Sequence, residues 1–179
     1  MGHSLKILGR TSSINVRKAV WALQEAGVPF ERRDAGMAFG VVDTPGFRAK
    51  NPNGLVPVLE DGDFRLGDSQ AILVYLAQRY ANEWYPQDAE TQGHIANWLS
   101  FAANEVQHGP ATVRLGKLFG RPIDEPLAQA RAASALRTLE RHLAQHAWLA
   151  QTSKPTVADI AVFPNVALGG DGGLDLAAY

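Results

Sequence analysis

The residues best suited to chemistry lie in three short stretches of the first half of the chain. Thr11-Ser12-Ser13-Ile14-Asn15 stands at the start of one helical pattern, Asn51 to Gly62 reads NPNGLVPVLEDG, and Asp68-Ser69 opens a second helical pattern. Ser, Thr and Asn at a helix start supply loop and cap chemistry without any catalysis. Within NPNGLVPVLEDG, Pro57 interrupts the apolar run of Leu55, Val56, Val58 and Leu59. A proline has no N–H for a sheet ladder, so it either begins or guards an edge strand, and it leaves open what the N–H and C=O of Val56 bond with. Asp68-Ser69 is an N-cap, a place where backbone N–H groups and the positive end of the helix dipole hold an anion, or both.

Other groups support plainer readings. His142 and His146 sit four apart on a helical pattern and can share a metal, but one helix offers no visible third ligand, so a solvated face is expected and no metal. Gly169 to Gly173 (GGDGG) neither follows a strand nor carries the lysine of a phosphate loop, which makes it a turn. Thr156-Val-Ala-Asp159 has the spacing of a capping box, a structural role in preference to a catalytic Asp159. Trp98 and Phe101 have helical spacing that reads as core, with the lining of a substrate cleft as the alternative. The chain has no cysteine, which removes disulfides, a thiolate nucleophile and cysteine metal sites. Any sulfur chemistry must arrive with a ligand.

The 179 residues and 46% hydrophobic content allow an ordinary buried core in one medium domain or two small ones. Seventeen basic and eighteen acidic residues give a formal charge of -1, with no long single-sign block to track a phosphate backbone or an anionic bilayer. Neither nucleic acid nor membrane is expected as a partner. No apolar run approaches the roughly 20 residues of a membrane span, and the N-terminus lacks the apolar core of a signal peptide, so a cytoplasmic protein is expected. Met1 to Ser4 (MGHS) carries no weight.

The elements that must position these residues change character near residue 80. Leu5 to Leu8 reads as a strand, Gly9 to Ser13 as a loop, and Val16, Ala19, Val20, Leu23 and Ala26 as a helical stripe ended by Gly27-Val28-Pro29. A weaker strand at Phe30 to Asp34 completes a βαβ unit, and residues 35 to 50 read as irregular. Val56 to Glu60 and Phe64 to Leu66 flank Asp61-Gly62, a hairpin signal, and a helix with Ile72, Leu73, Leu76 and Tyr80 on one face starts at Ser69. After the polar stretch Asn82 to Ala89 no strand is expected. Ile95, Trp98, Leu99, Ala102 and Val106 form one helical stripe that Pro110 should kink or end, Leu136, Leu139 and Leu143 form another, and a further helix starts at Thr156. The expected fold is an α/β domain over residues 1–80, a linker at 81–90 and an all-helical domain over 91–179.

This order of elements, the segment NPNGLVPVLEDGDFRLGDSQAILVYLAQRY and the later PTVADIAVFP together resemble the glutathione S-transferase family, over nearly the whole chain. The resemblance implies a thioredoxin-like α/β N-terminal domain and an all-α C-terminal domain. It implies a cis Val56-Pro57 bond whose outward-facing Val56 groups bind glutathione as an added strand. It implies Asp68 for the ligand's α-ammonium, where the family often has glutamate, and Ser69 for its α-carboxylate. The thiol then falls near Thr11 to Asn15. Serine-type members place the activating group at Ser13, a second register found in the family places it at Asn15, and Ser12 and Thr11 are further alternatives.

The function so implied is attack of the glutathione thiolate on a small electrophile, a detoxification chemistry, by a cytoplasmic homodimer with glutathione as co-substrate and no metal. Two alternatives stay open: a noncatalytic binding or regulatory protein on the same scaffold, and a disulfide or peroxide reductase that uses two glutathiones. The resemblance implies a few tens of further residues beyond the point matching Tyr179, so the helical domain reads as C-terminally short for the family, with that segment either absent or outside the sequence read.

Overall fold

The computed structural model describes residues 5–179; the four residues before Leu5 lie outside them. By packing, the chain divides into two units, one ending at Asn82 and one running from Glu83 to Tyr179.

In the first unit, β1 (Leu5–Leu8), α1 (Ile14–Glu25) and β2 (Phe30–Arg33) form the βαβ element. A four-residue helix, α2 (Pro45–Arg48), precedes the antiparallel hairpin of β3 (Val58–Asp61) and β4 (Phe64–Gly67), and α3 (Ser69–Tyr80) closes the unit. The strands form one mixed sheet in the order β2-β1-β3-β4, with β1 parallel to β2 and antiparallel to β3. This is the expected thioredoxin-like α/β domain, with four differences of detail. Strand β3 begins at Val58 and not at Val56, because Pro57 has no N–H to give to the ladder and β1 ends opposite Val58 at Leu8. The hairpin loop is Gly62-Asp63 and not Asp61-Gly62: Asp61 pairs with Phe64, and Gly62 takes the positive φ of +58° that the turn demands. Strand β2 stops at Arg33. Residues 35–50 are less irregular than expected, because Thr44 caps the Phe47 N–H and Pro45 fits the first turn of α2.

Alternation along the strands gives the sheet two buried faces. Ile7 and Leu59 are fully buried on one, where Val16, Ala19 and Leu23 of α1 and Ile72, Leu73 and Leu76 of α3 complete the core. On the other, Leu8 and Val58 pack with Ala35 and Phe47, and Val42 and Val56 lie against them. Next to this second cluster a row of alternating charge crosses all four strands: Glu31, Lys6, Glu60 and Arg65 are successive cross-strand neighbours. Glu60 is buried and takes Lys50 Nζ at 2.9 Å and Arg65 Nε at 3.1 Å.

The second unit is helical: α4 (Ala89–Phe101), α5 (Pro110–Phe119), α6 (Glu125–Leu143) and α7 (Val157–Ala167). A π-helical turn at Ala102–Val106 follows α4, and the chain breaks at Gly109 so that Pro110 becomes the first residue of α5, where its missing N–H costs nothing. Helix α5 itself is an element that the sequence patterns did not separate. The capping box at α7 is formed: the Thr156 N–H donates to Asp159 Oδ2 at 2.8 Å, and the Ala158 N–H donates to Thr156 Oγ1 at 3.3 Å. Asp159 also accepts the Leu149 N–H through its other oxygen, at 3.0 Å. The glycine-rich run forms a short 3-10 turn, Gly170–Gly172, with Gly172 set against the backbone of Arg114.

Burial alone would raise the Glu60 carboxyl above its ordinary value of 4.5; the hydrogen bond and charge of Lys50, with Arg65 and Lys6, outweigh it and hold the group below that value. The stabilisation from Glu60 is therefore complete above its unfolded value and is lost as pH falls through the lower folded one. Glu60→Gln is expected to lower the unfolding free energy at pH 7 by about 1–3 kcal/mol. Denaturant titrations at pH 7 and pH 3 should show that gap between wild type and variant shrinking in acid.

Candidate functional site

The register of the sheet decides which loops meet. Leu8 lies opposite both Arg33 and Val58, and Val58 lies opposite Gly67. Given the strand directions, the segments that leave these residues, 9–13, 34–44, 56–57 and 68–69, emerge at one end of the sheet. Gly9 lets them close together. At φ +154° it sits where an added Cβ would strike Val16 Cγ2 of α1 and stand 3.1 Å from Val56 Cβ.

The Val56 segment is shaped from behind by Asn51, which is 5% exposed. Its Nδ2 donates to the Leu55 carbonyl at 2.9 Å, and its Oδ1 accepts the Asn53 N–H at 3.1 Å. Gly67 makes room for this amide, since a Cβ there would lie 2.7 Å from Asn51 Nδ2. Arg48 donates to the Pro52 carbonyl at 2.9 Å and pairs with Asp43. The Val56-Pro57 peptide bond is cis. Val56 is half-buried, Pro57 is buried, and among the described residues neither the N–H nor the C=O of Val56 has a hydrogen-bond partner.

At the start of α3, Asp68 adopts φ +68° and caps the helix: its Oδ1 accepts the Gln70 N–H at 2.9 Å and the Ala71 N–H at 3.0 Å. The carboxylate is exposed and keeps its other oxygen clear of these bonds. Ser69 is buried, and its hydroxyl donates to Gln70 Oε1 at 2.6 Å, so an incoming anion meets the backbone at this helix start before it meets a free hydroxyl proton.

At the start of α1, Ser13 is the N-cap, 9% exposed, and its Oγ accepts the Val16 N–H at 3.5 Å. A hydroxyl that accepts in this way keeps its own proton for another acceptor. Asn15 is half-buried in the first turn, and among the described residues its amide makes no hydrogen bond. Thr11 is exposed, and its carbonyl accepts Arg17 Nε at 2.7 Å. Ser12 is half-buried. Ser13, Asn15, Val56, Pro57, Asp68 and Ser69 thus all stand at the same end of the sheet.

Lys18 of α1 is absent from the sequence-based candidates. It is 1% exposed, on the second turn of α1. Burial pushes its ammonium down to about 8, while the charge of Asp68 pulls it up. The signal was present in the spacing: Ile14, Lys18 and Ala22 recur every fourth residue, and the two apolar members of that row are buried.

The remaining candidates lie in the helical unit. Trp98 is 5% exposed and packs edge-on against Phe101 and His142, at ring-centroid distances of 5.1 and 4.7 Å. The His142 and His146 rings lie 4.6 Å apart, but His142 Nε2 is 3.0 Å from the Leu149 carbonyl, and among the described residues no group of three metal-ligating side chains occurs.

Residues 8–84 match the glutathione S-transferase N-terminal domain family, and residues 77–168 match the C-terminal domain family. The glutathione S-transferase GstB of Escherichia coli K12 is 32% identical over 171 residues, which cover 89% of this chain and 80% of the relative. A glutathione S-transferase structure from Pseudomonas fluorescens Pf-5 superposes with a TM-score of 0.90 at 29% identity, covering 98% of this chain and 89% of the other. The theta class glutathione S-transferase of Xanthomonas axonopodis pv. citri, solved with glutathione bound, gives a TM-score of 0.75 at 35% identity over 89% of this chain and 79% of the other. With family models matching both domains in order over most of the chain, the chain belongs to the glutathione S-transferase family.

Proposed function

We propose that this protein binds glutathione along the Val56 edge and stabilises its thiolate for attack on a small electrophile. The observation that carries the reading is the open N–H and C=O of Val56, held between two helix starts of which one presents Asp68 and the other Ser13. An extended tripeptide that pairs with Val56 satisfies both groups as an added strand would. Its γ-glutamyl ammonium meets the exposed Asp68 carboxylate, and its α-carboxylate meets the N-terminus of α3 at Ser69, with Pro57 forming the buried floor beside Val56. Its sulfur lies toward the N-terminus of α1, where Ser13 and Asn15 present a hydroxyl and an amide.

The magnitudes suffice. Lowering a thiol pKa from about 8.5 by about 2 units requires about 2.7 kcal/mol of preference for the thiolate. One hydrogen bond to a charged group contributes about 1.5–3 kcal/mol and a helix N-terminus about 0.3–1 kcal/mol. Ser13 takes the leading role in this reading because its hydroxyl proton is uncommitted while its oxygen is fixed by the cap. Asn15 is the second donor. The thiolate, and no group of the protein, forms the new bond to the electrophile, and the protein supplies position and electrostatic stabilisation. The family resemblance extends the reading to a cytoplasmic homodimer, and the exposed Phe64 ring stacked on Tyr75 at 4.7 Å offers a second copy an aromatic surface.

Ultraviolet titration of the bound thiol is the direct test. Ser13→Ala is expected to raise its pKa by about 1–2 units, and an unchanged pKa removes Ser13 from the mechanism. Retention on immobilised glutathione, followed by an assay with an aromatic halide, separates transfer from binding alone, and loss of retention in the wild type would overturn the reading. Asn51→Ala, which frees the Leu55 carbonyl and the Asn53 N–H, is expected to lower stability by about 1–3 kcal/mol. It should also raise the glutathione KM more than it lowers kcat in steady-state kinetics, because it loosens the edge that binds and leaves Ser13 in place.

A further inference from the structure

In the loop that leads to Ser13, the carbonyls of residues 9–11 are all engaged. Gly9 accepts Arg32 Nη1 at 2.8 Å, Arg10 accepts the Ser13 N–H at 3.2 Å, and Thr11 accepts Arg17 Nε at 2.7 Å. Arg17 belongs to the helix that the loop opens, whereas Arg32 reaches in from β2, and the reaction outlined above makes no use of it. The Arg32 guanidinium is itself held: Nη1 and Nη2 pair with the two oxygens of Asp34 at 2.6 and 3.3 Å, and the side chain is 26% exposed. Gly9 is held at both of its backbone groups, since its N–H donates to the Arg33 carbonyl at 2.7 Å. The Arg10 N–H adds a bond to the Ala35 carbonyl at 3.2 Å. The residues after β1 are thus bound to the end of β2 and to the start of the 34–44 segment, with the Arg32–Asp34 pair as the side-chain link between them.

We propose that Arg32 is a positioning residue for Ser13: by holding the Gly9 carbonyl it fixes the turn from which the Ser13 hydroxyl reaches the thiolate. The proposal rests on the glutathione reading and adds a residue to it. The cap bond from the Val16 N–H to Ser13 Oγ is long, at 3.5 Å, so the place of the hydroxyl depends also on the turn that precedes it. That turn is closed by the Ser13 N–H on the Arg10 carbonyl, and Arg10 is the next residue after Gly9. A displacement of about 1 Å in such a group costs about a hundredfold in rate. A bond from an ionised donor is stronger than one from a neutral donor, so Arg32 restrains Gly9 more firmly than an amide or hydroxyl would. Because Asp34 pairs with it, the guanidinium brings no net charge to this corner; it acts through geometry and not through a field. A lysine gives one bond to Gly9 but lacks the planar fork that also takes both oxygens of Asp34. Arg32 does not touch the ligand in this account.

The test measures the ultraviolet pKa of the bound thiol and steady-state kinetics in wild type, Arg32→Met, Arg32→Lys, Ser13→Ala and the double variant Ser13→Ala with Arg32→Met. Arg32→Met is expected to raise the thiol pKa by about 1 unit and to lower kcat at neutral pH about tenfold, with the glutathione KM within about threefold of wild type, because Val56 and Asp68 stay in place. The deficit in kcat should shrink as pH rises above the new thiol pKa, a change of profile that a general loss of stability does not give. Arg32→Lys should recover about half of the shift. In the double variant the thiol pKa should equal that of Ser13→Ala, since Arg32 acts through Ser13. Amide hydrogen exchange of the ligand-free protein needs no glutathione: the Gly9, Arg10 and Ser13 amides should exchange about tenfold faster in Arg32→Met, with those of β3 unchanged. Should Arg32→Met not fold, Asp34→Asn, which loosens the guanidinium, takes its place in every comparison. A wild-type thiol pKa in Arg32→Met, effects that add in the double variant, or unchanged exchange of the loop amides overturns the proposal. Failure of the wild type to bind glutathione would instead remove the function proposed above, and the exchange rates then decide by themselves whether Arg32 holds the loop.

Discussion

The double engagement of Val58, with Leu8 on one side and Gly67 on the other, is the constraint from which the site follows. Each strand contributes little by itself. The register between them decides that the loop after β1, the segment before β3 and the helix start after β4 all open at one end. A slip of one residue would turn Val58 and Leu8 away from Phe47 and toward the α1 and α3 face, so the hydrophobic clusters on the two faces lock the register. The chemistry at the rim is in this sense a consequence of core packing, since Ser13, Val56 and Asp68 are far apart in sequence and share only the end of the sheet.

Much of this was legible in the residues. The βαβ unit, the hairpin and the start of α3 announce themselves through apolar periodicity and through Asp-Gly and Asp-Ser. The capping box at Thr156 is formed as its spacing requires. What sequence patterns misplaced were boundaries, by one or two residues, as at β3 and its turn, because a boundary depends on which partner strand ends first. Helix α5 was not separated from its neighbours, because the break at Gly109 and the π-helical turn before it arise from packing; a Cβ at position 109 would lie 2.8 Å from the backbone of Ala132 on α6.

The site was legible in a different measure. Hydroxyl, amide and carboxylate residues at helix starts stand out because their types are suited to anions and caps alike. Lys18 does not stand out, since a lysine in an amphipathic helix ordinarily marks the solvent face. Its place in the row with Ile14 and Ala22 is the one hint that it points inward, and the burial of the side chain shows that it does. Asn51 was similarly concealed: inside NPNG it reads as a turn residue, whereas its side chain reaches back to Leu55 and Asn53 and holds the strand that a ligand would meet.

The contact between Gly67 and the Asn51 amide has a bearing on how this protein can diverge. Any residue larger than glycine at 67 collides with the side chain that fixes the neighbouring turn, and any shorter residue at 51 leaves a hole that only a bulkier partner at 67 would fill. The two sites are therefore coupled: the effect of a change at one depends on the residue at the other.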